Sequence, residues 1–376
     1  VAEIAPLIAA EAEKAEGLGE LTPAVVEALH ESGLFGLILP SELGGLGLSL
    51  PDAVEVCRAI AEHDASTAWT FAILADGPIF GRMLEPDAFA ELAAGGPPLI
   101  AGTLNPLTSR ATPVDGGYRL TGTAGYASGS HHATWLMAGA FVHRDGEPSF
   151  VDGIPELIAG FLPVGEATIN PTWAPSGMRA TGSDDCTLDD VFVPERLTFR
   201  WGDPVPREGD TWSQIPLQAQ LGPALAATVV GAARGAQQLF ADLAGAKVPA
   251  ASFQVLADRP QAHVAAGEAE GLLLAAEATL AAAGTEVWQQ GVETRPFTDL
   301  DRARLRARAV TAVRLAGQAV DLYHDVGGMS SVKQGSPLER IWRDVHTATQ
   351  HILLNVARYE IIGRIVLGRD PGTPVI

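Results

Sequence analysis

Between about residue 98 and residue 200 the apolar positions recur every second residue, and on both sides of that stretch they recur at helical spacing. A chain that runs helix, strand, helix with no internal repeat cannot be one bundle or one doubly wound sheet. It must hold a strand domain between two helical ones, which makes it an α+β protein. The blocks are 1–95, helical; 96–205, a middle antiparallel β-domain expected to be a barrel or sandwich; and 206–376, a C-terminal four-helix bundle.

Local signals support each block. Thr22 is placed as an N-cap, with Pro23 at the first helical position and Gly33 just past the end. Asp115-Gly116 sits between alternating segments as a two-residue hairpin turn. Four long helical runs, near 215–245, 253–292, 298–326 and 336–367, are joined by short Gly-, Pro- or Thr-containing links, so they should pack antiparallel.

Composition excludes several classes. The formal net charge is -20 over 376 residues with no Lys/Arg-rich run, which argues against nucleic acid or an anionic membrane as partner. The Ala-rich stretch 222–240 is interrupted by Arg234 and two glutamines and is too short to span a bilayer. The first residues alternate apolar and acidic positions, unlike a signal peptide. Cys57 and Cys186 are far apart in no metal or redox spacing, so a reduced cytoplasm is the expected compartment.

One segment resists a purely structural account. "RDVHTATQH" (343–351) lies in what reads as a continuous amphipathic helix, yet it is crowded with groups that bond or titrate. At 100° per residue Asp344, Thr347 and His351 share one face, while His346 and Gln350 share a neighbouring one. The two histidines are five apart rather than four, and no acidic or Cys partner stands at ligand spacing, so a metal site is not expected.

Several motifs together resemble one family. "GLFGLILPSELGGLGLSL", "GYRLTGTAGYASGSHHATWLMAGA" and "GMRATGSDDCTLDDVFVP" look like segments of the acyl-CoA dehydrogenase superfamily. "YASG" and "SPLERIWRDVHTATQHI" are similar to its reduced-flavin-dependent branch, the oxygenase halves of two-component monooxygenases. The resemblance spans about residues 20–368 and implies that superfamily's fold.

It also implies roles. His351 would stand by the reacting edge of the flavin as base or donor toward substrate, which suits an imidazole whose ordinary pKa is near 6.5. His346 would be structural. Ser128 would hydrogen-bond the flavin N5 region, with Tyr126 and Gly129 beside it. Thr103, Asn105, Thr181 and Ser183 would supply hydroxyl and amide contacts, and Trp173 an aromatic against the ring. Gly327 and Gly328 would approach the phosphate end across a subunit interface, giving a homotetramer. Trp69, Asp76 and Thr347 would meet the substrate. Many phenol-hydroxylating members carry a histidine near "LADGPIF", where this chain has Asp76-Gly77.

The resemblance therefore implies a monooxygenase fed by a separate flavin reductase and acting on a small organic or aromatic substrate. No Arg precedes "SFQ", which favours FMN as the reduced co-substrate, with FAD possible. The alternatives are an FAD-dependent acyl-CoA dehydrogenase-like enzyme and a flavin-free binding protein. Against the first, the helix carries no Glu until Glu360.

Overall fold

The computed structural model describes residues 1–151 and 153–373. The expected order of blocks is what it shows. Six helices come first: α1 (Ala5–Leu18), α2 (Pro23–Glu31), α3 (Leu50–Ala61), α4 (Ala65–Ala75), α5 (Gly77–Gly81) and α6 (Pro86–Leu92). Eleven strands follow: β1 (Ile100–Thr103), β2 (Ser109–Val114), β3 (Gly117–Ala127), β4 (Trp135–Arg144), β5 (Glu147–Pro148), β6 (Phe150–Val151), β7 (Ile154–Pro155), β8 (Leu157–Pro163), β9 (Thr168–Asn170), β10 (Asp184–Pro194) and β11 (Thr198–Arg200). The chain closes with α7 (Leu217–Ala246), α8 (Pro260–Val292), α9 (Asp299–Gly327), α10 (Pro337–Ala348) and α11 (Arg358–Val366).

The sheet order is β11-β8-β4-β2-β3-β10-β9. The β2–β3 hairpin turns at Asp115-Gly116, where Gly116 takes φ +76°. Most pairs are antiparallel, but β1 and β2 both run parallel to β4, end to end along one of its edges. The sheet curls until Gly160 of β8 meets Val193 of β10 and Leu120 of β3. Its outer strands β11 and β9 do not pair, so the β-domain is barrel-shaped without a closed ladder.

Helix α4 is the pivot of the molecule. It packs on α3, α7, α10, β1 and the turn at 179–181, and Ile73 is its one residue that is not buried. Asp64 starts it by accepting the Thr67 N–H and hydroxyl, both at 2.8 Å. Helix α7 crosses α3 at backbone distance, because a Cβ on Gly231 would stand 2.1 Å from the Arg58 carbonyl oxygen.

The fourth long run departs from expectation. It is not one helix over 336–367: α10 ends at Ala348 and α11 begins at Arg358. Side chains compete for the backbone in between. The Thr349 hydroxyl donates to the His346 carbonyl at 2.7 Å, His351 Nδ1 accepts the Leu353 N–H at 3.3 Å, and Asn355 Oδ1 accepts the Ala357 N–H at 2.8 Å.

Replacing Gly231 by Ala forces α7 and α3 apart, and should cost about 1–3 kcal/mol, as overpacking generally does. A urea titration should show the midpoint falling at unchanged slope.

Candidate active site

The helix break sets the direction of His351. Asp344 and Thr347 lie on regular helix, and the chain then turns so that the His351 ring meets Trp69 of α4 edge-on, with centroids 5.2 Å apart. The Trp69 indole Nε1 donates to Ser128 Oγ at 3.3 Å. Ser128 Oγ lies 2.7 Å from Ser183 Oγ, which lies 2.6 Å from Thr181 Oγ1. One residue from each block thus meets at a single point: Trp69, Ser128 and His351. All three were legible as candidates in the sequence.

Ser128 is placed by unusual backbone. Tyr126, two residues before it, is left-handed at φ 57°, Gly129 just after it takes φ 74°, and the Gly129 N–H donates to the Thr181 carbonyl at 2.8 Å. The Tyr126 ring is three-quarters exposed and meets the half-buried Trp173 ring edge-on at 6.2 Å. The Trp173 indole donates to the Met178 carbonyl at 2.9 Å.

The neighbouring loop also faces outward. Thr103 Oγ1 accepts the Asn105 N–H at 3.1 Å, and Asn105 Oδ1 accepts the Leu107 N–H at 3.2 Å. Both side-chain oxygens are occupied by their own loop, and the Thr103 hydroxyl proton and the Asn105 amide protons remain as donors. An uncovered apolar strip with donors along its rim and a serine at its inner end suits a planar heteroaromatic ring rich in acceptors. The residues present therefore fit an isoalloxazine.

Other expected site residues lie elsewhere or are otherwise engaged. His346 bonds Asp321 at 2.8 Å and packs on Trp342, a structural role. Thr347 Oγ1 is 3.5 Å from Ser176 Oγ. Gly327 and Gly328 end α9, about 30 Å by helix rise from Arg306 beside His351, so within one chain they are not part of this site. Asp76 is buried between α4 and α5, and its carboxyl has no hydrogen-bonding partner among the described residues. Glu360 is exposed and paired with Arg364, leaving it unavailable as an active-site base.

Sequence reading placed Asp344 on the His351 face without giving it a role, and it missed Arg306. Asp344 is buried, and its carboxylate accepts the Met178 N–H at 2.5 Å. The hint was an acid on the same helical face as His351. Arg306, buried in α9, donates to the Leu353 carbonyl at 3.3 Å and to Gln218 Oε1 at 3.1 Å. Nothing local in its helical run distinguished it.

The electrostatics divide the site. Burial, reinforced by the positive charge of Arg306, lowers the His351 pKa to about 4. The ring is therefore neutral at pH 7. Because Nδ1 accepts the Leu353 N–H, the ring proton sits on Nε2, and His351 presents a donor in its resting state. Burial, with Asp64 nearby, raises the Asp344 pKa to about 7. Burial also raises Asp76 well above the ordinary carboxylate range.

Comparison with known proteins gives the family of this fold. The profile of the acyl-CoA dehydrogenase N-terminal domain matches residues 2–80, that of the C-terminal domain matches residues 224–356, and together they cover more than half of the chain. The chain belongs to the acyl-CoA dehydrogenase superfamily. Within it, the relatives are oxygenase components of two-component flavin-dependent monooxygenases. The oxygenase component of an FADH2-dependent resorcinol hydroxylase of a Rhizobium species is 28% identical, over 99% of this chain and 94% of the relative. The oxygenase subunit HsaA of a flavin-dependent monooxygenase of Mycobacterium tuberculosis is 29% identical, over 99% and 95%. The structure of XiaF from a Streptomyces species, in complex with FADH2 and glycerol, superposes with a TM-score of 0.91 at 27% identity, covering 100% of this chain and 96% of that one. The chain thus falls among the oxygenase components of the flavin-dependent oxidoreductase class.

The low pKa of His351 has a stability consequence with a definite sign. Its folded value lies below the unfolded value near 6.5, so its contribution is present above pH 6.5 and is lost as pH falls toward 4. Relative to His351→Gln, the wild type should gain up to about 3 kcal/mol between pH 4 and pH 7. Urea titrations of both proteins across that range measure it.

Proposed function

We propose that this chain uses reduced flavin and O2 to monooxygenate a small, largely apolar organic substrate, of which an aromatic ring is the leading case. The observation that carries the reading is the meeting of Trp69, Ser128 and His351, close in sequence to the exposed Tyr126, whose ring meets that of the half-buried Trp173. When bound, reduced flavin activates O2 and delivers one oxygen atom to the substrate. Ser128 would hold the N5 edge of the ring, Tyr126 and Trp173 would flank it, and Thr103 and Asn105 would donate to its acceptors. Resting as a neutral donor, His351 would orient a substrate oxygen or nitrogen, and Trp69 would wall the substrate against it. Thr347 would border the same side.

Both FADH2 and FMNH2 should be tested. The resorcinol hydroxylase and XiaF name FADH2, whereas the matched structures of KijD3 and TdsC name FMN, and the missing arginine favours FMN. The dehydrogenase alternative needs a carboxylate to take a substrate proton, and the exposed, paired Glu360 does not supply one. We also infer a homotetramer. Val248, Phe253 and Met329 leave an apolar patch outside around Gly327 and Gly328, where Lys247 bonds the Gly327 carbonyl. A monomer by light scattering would overturn that inference.

Asp76 would set the far end of the substrate pocket. It follows Trp69 by seven residues on one face of α4, about 10 Å further along, with the partly exposed Ile73 between them. A carboxyl that burial pushes toward its protonated form can donate to a neutral polar group as well as accept from it. Asp76→Leu should raise KM by about tenfold or more with kcat little changed, while Asp76→Asn should keep both near wild type.

The reaction itself is tested by reconstitution with a flavin reductase, NADH and flavin under 18O2. One labelled oxygen should enter the product, and none should form without oxygen. His351→Ala should lower kcat/KM by about 100-fold. Reduction of the flavin by substrate under anaerobic conditions would instead establish a dehydrogenase.

A further inference from the structure

The hydroxyl chain beside the candidate flavin site has a direction. Thr181 Oγ1 lies 2.9 Å from the Met178 carbonyl oxygen, which can only accept, so Thr181 donates its proton there. With that proton committed, Thr181 can only accept from Ser183, and Ser183 can only accept from Ser128. At the other end the Trp69 indole, which has no lone pair to offer, donates into Ser128 Oγ. The order is Trp69, Ser128, Ser183, Thr181, Met178 carbonyl, with every proton pointing the same way. Ser128, Ser183 and Thr181 are all buried, so water does not compete along the chain.

The end of the chain is pinned. Met178 is left-handed at φ 58°, and its N–H is held by Asp344 of α10. The residue before it is Gly177, whose backbone lies so close to α10 that a Cβ would stand 2.2 Å from the Arg343 carbonyl oxygen. The carbonyl that ends the chain is thus fixed by a backbone-to-helix contact outside the hydroxyl series.

We propose that Thr181 and Ser183 act as positioning residues that fix Ser128 as a hydrogen-bond acceptor, and so make the site select reduced over oxidised flavin. The proposal rests on the reading that Ser128 faces the flavin N5. Reduction places a hydrogen on N5 and turns it from acceptor to donor. A Ser128 whose own proton is committed to Ser183 has a lone pair for that N–H. To serve oxidised N5, Ser128 must turn its proton outward and the chain must reverse. Reversal withdraws the Thr181 proton from the Met178 carbonyl, so one hydrogen bond is lost, worth on the order of tenfold in affinity. The Met178 carbonyl keeps its bond from the Trp173 indole either way.

The test is an anaerobic binding titration of wild type, Thr181→Val and Ser183→Ala with FAD and FADH2, and with FMN and FMNH2. Wild type should prefer the reduced form. Each variant frees the Ser128 proton to point outward, so the preference should fall about tenfold, with oxidised flavin bound as well as before or better. That corresponds to a drop of about 30 mV in the two-electron potential of bound flavin. In a Ser128→Ala background, Thr181→Val should have no further effect on the preference. Loss of affinity for both forms in parallel, with the preference unchanged, would overturn the relay while leaving the flavin reading intact. A wild type that binds neither flavin would overturn both. The two variants are independent, so misfolding of one, seen by circular dichroism, leaves the other to decide.

Discussion

The seam between α10 and the turn at 176–179 governs the rest of the site. Gly177 lets two backbones touch, and Asp344 then captures the next N–H, so the Met178 carbonyl has one possible direction. Trp173, Thr181, Ser183 and Ser128 all take their orientation from that oxygen, directly or in series. The seam joins the β-domain to the C-terminal helices, and α4 lies against both. Domain packing and site geometry are therefore one constraint. A shift of α10 along its axis would move the carbonyl, and with it the serine at the far end of the chain.

Much of this was legible in the sequence. The change of period along the chain is a local signal, as are the hairpin at Asp115-Gly116 and the Thr22-Pro23 start of α2. Local signals of this kind survive without tertiary information. Ser128, His351 and Trp69 were found because the segments that hold them carry family motifs. Periodicity alone gave no reason to bring them together. The end of α10 was not legible, since Thr349, His351 and Asn355 read as tolerable helix residues until their side chains are seen bonding the backbone. Arg306 was missed for a similar reason. Its burial depends on Gly222 of α7, where a Cβ would crowd its guanidinium at 3.3 Å, and that contact is remote in sequence.

The site also gathers groups whose charge the fold suppresses. His351 is held neutral, and Asp344 and Asp76 are pushed toward their protonated forms, chiefly by burial. Dry surroundings suit oxygen chemistry, because water admitted to the site diverts reactive oxygen from the substrate. Uncharged groups can still orient a substrate through hydrogen bonds without drawing water in.

His351 and Asp344 respond to acid in opposite senses. As pH rises from about 4 to 7, the histidine adds to stability. Over the same range Asp344 takes stability away, since the unfolded acid ionises while the buried one does not. These two contributions to the stability curve offset one another. Acid tolerance in this fold would then be a cancellation between two strong linkages, and a substitution at either residue would expose the other.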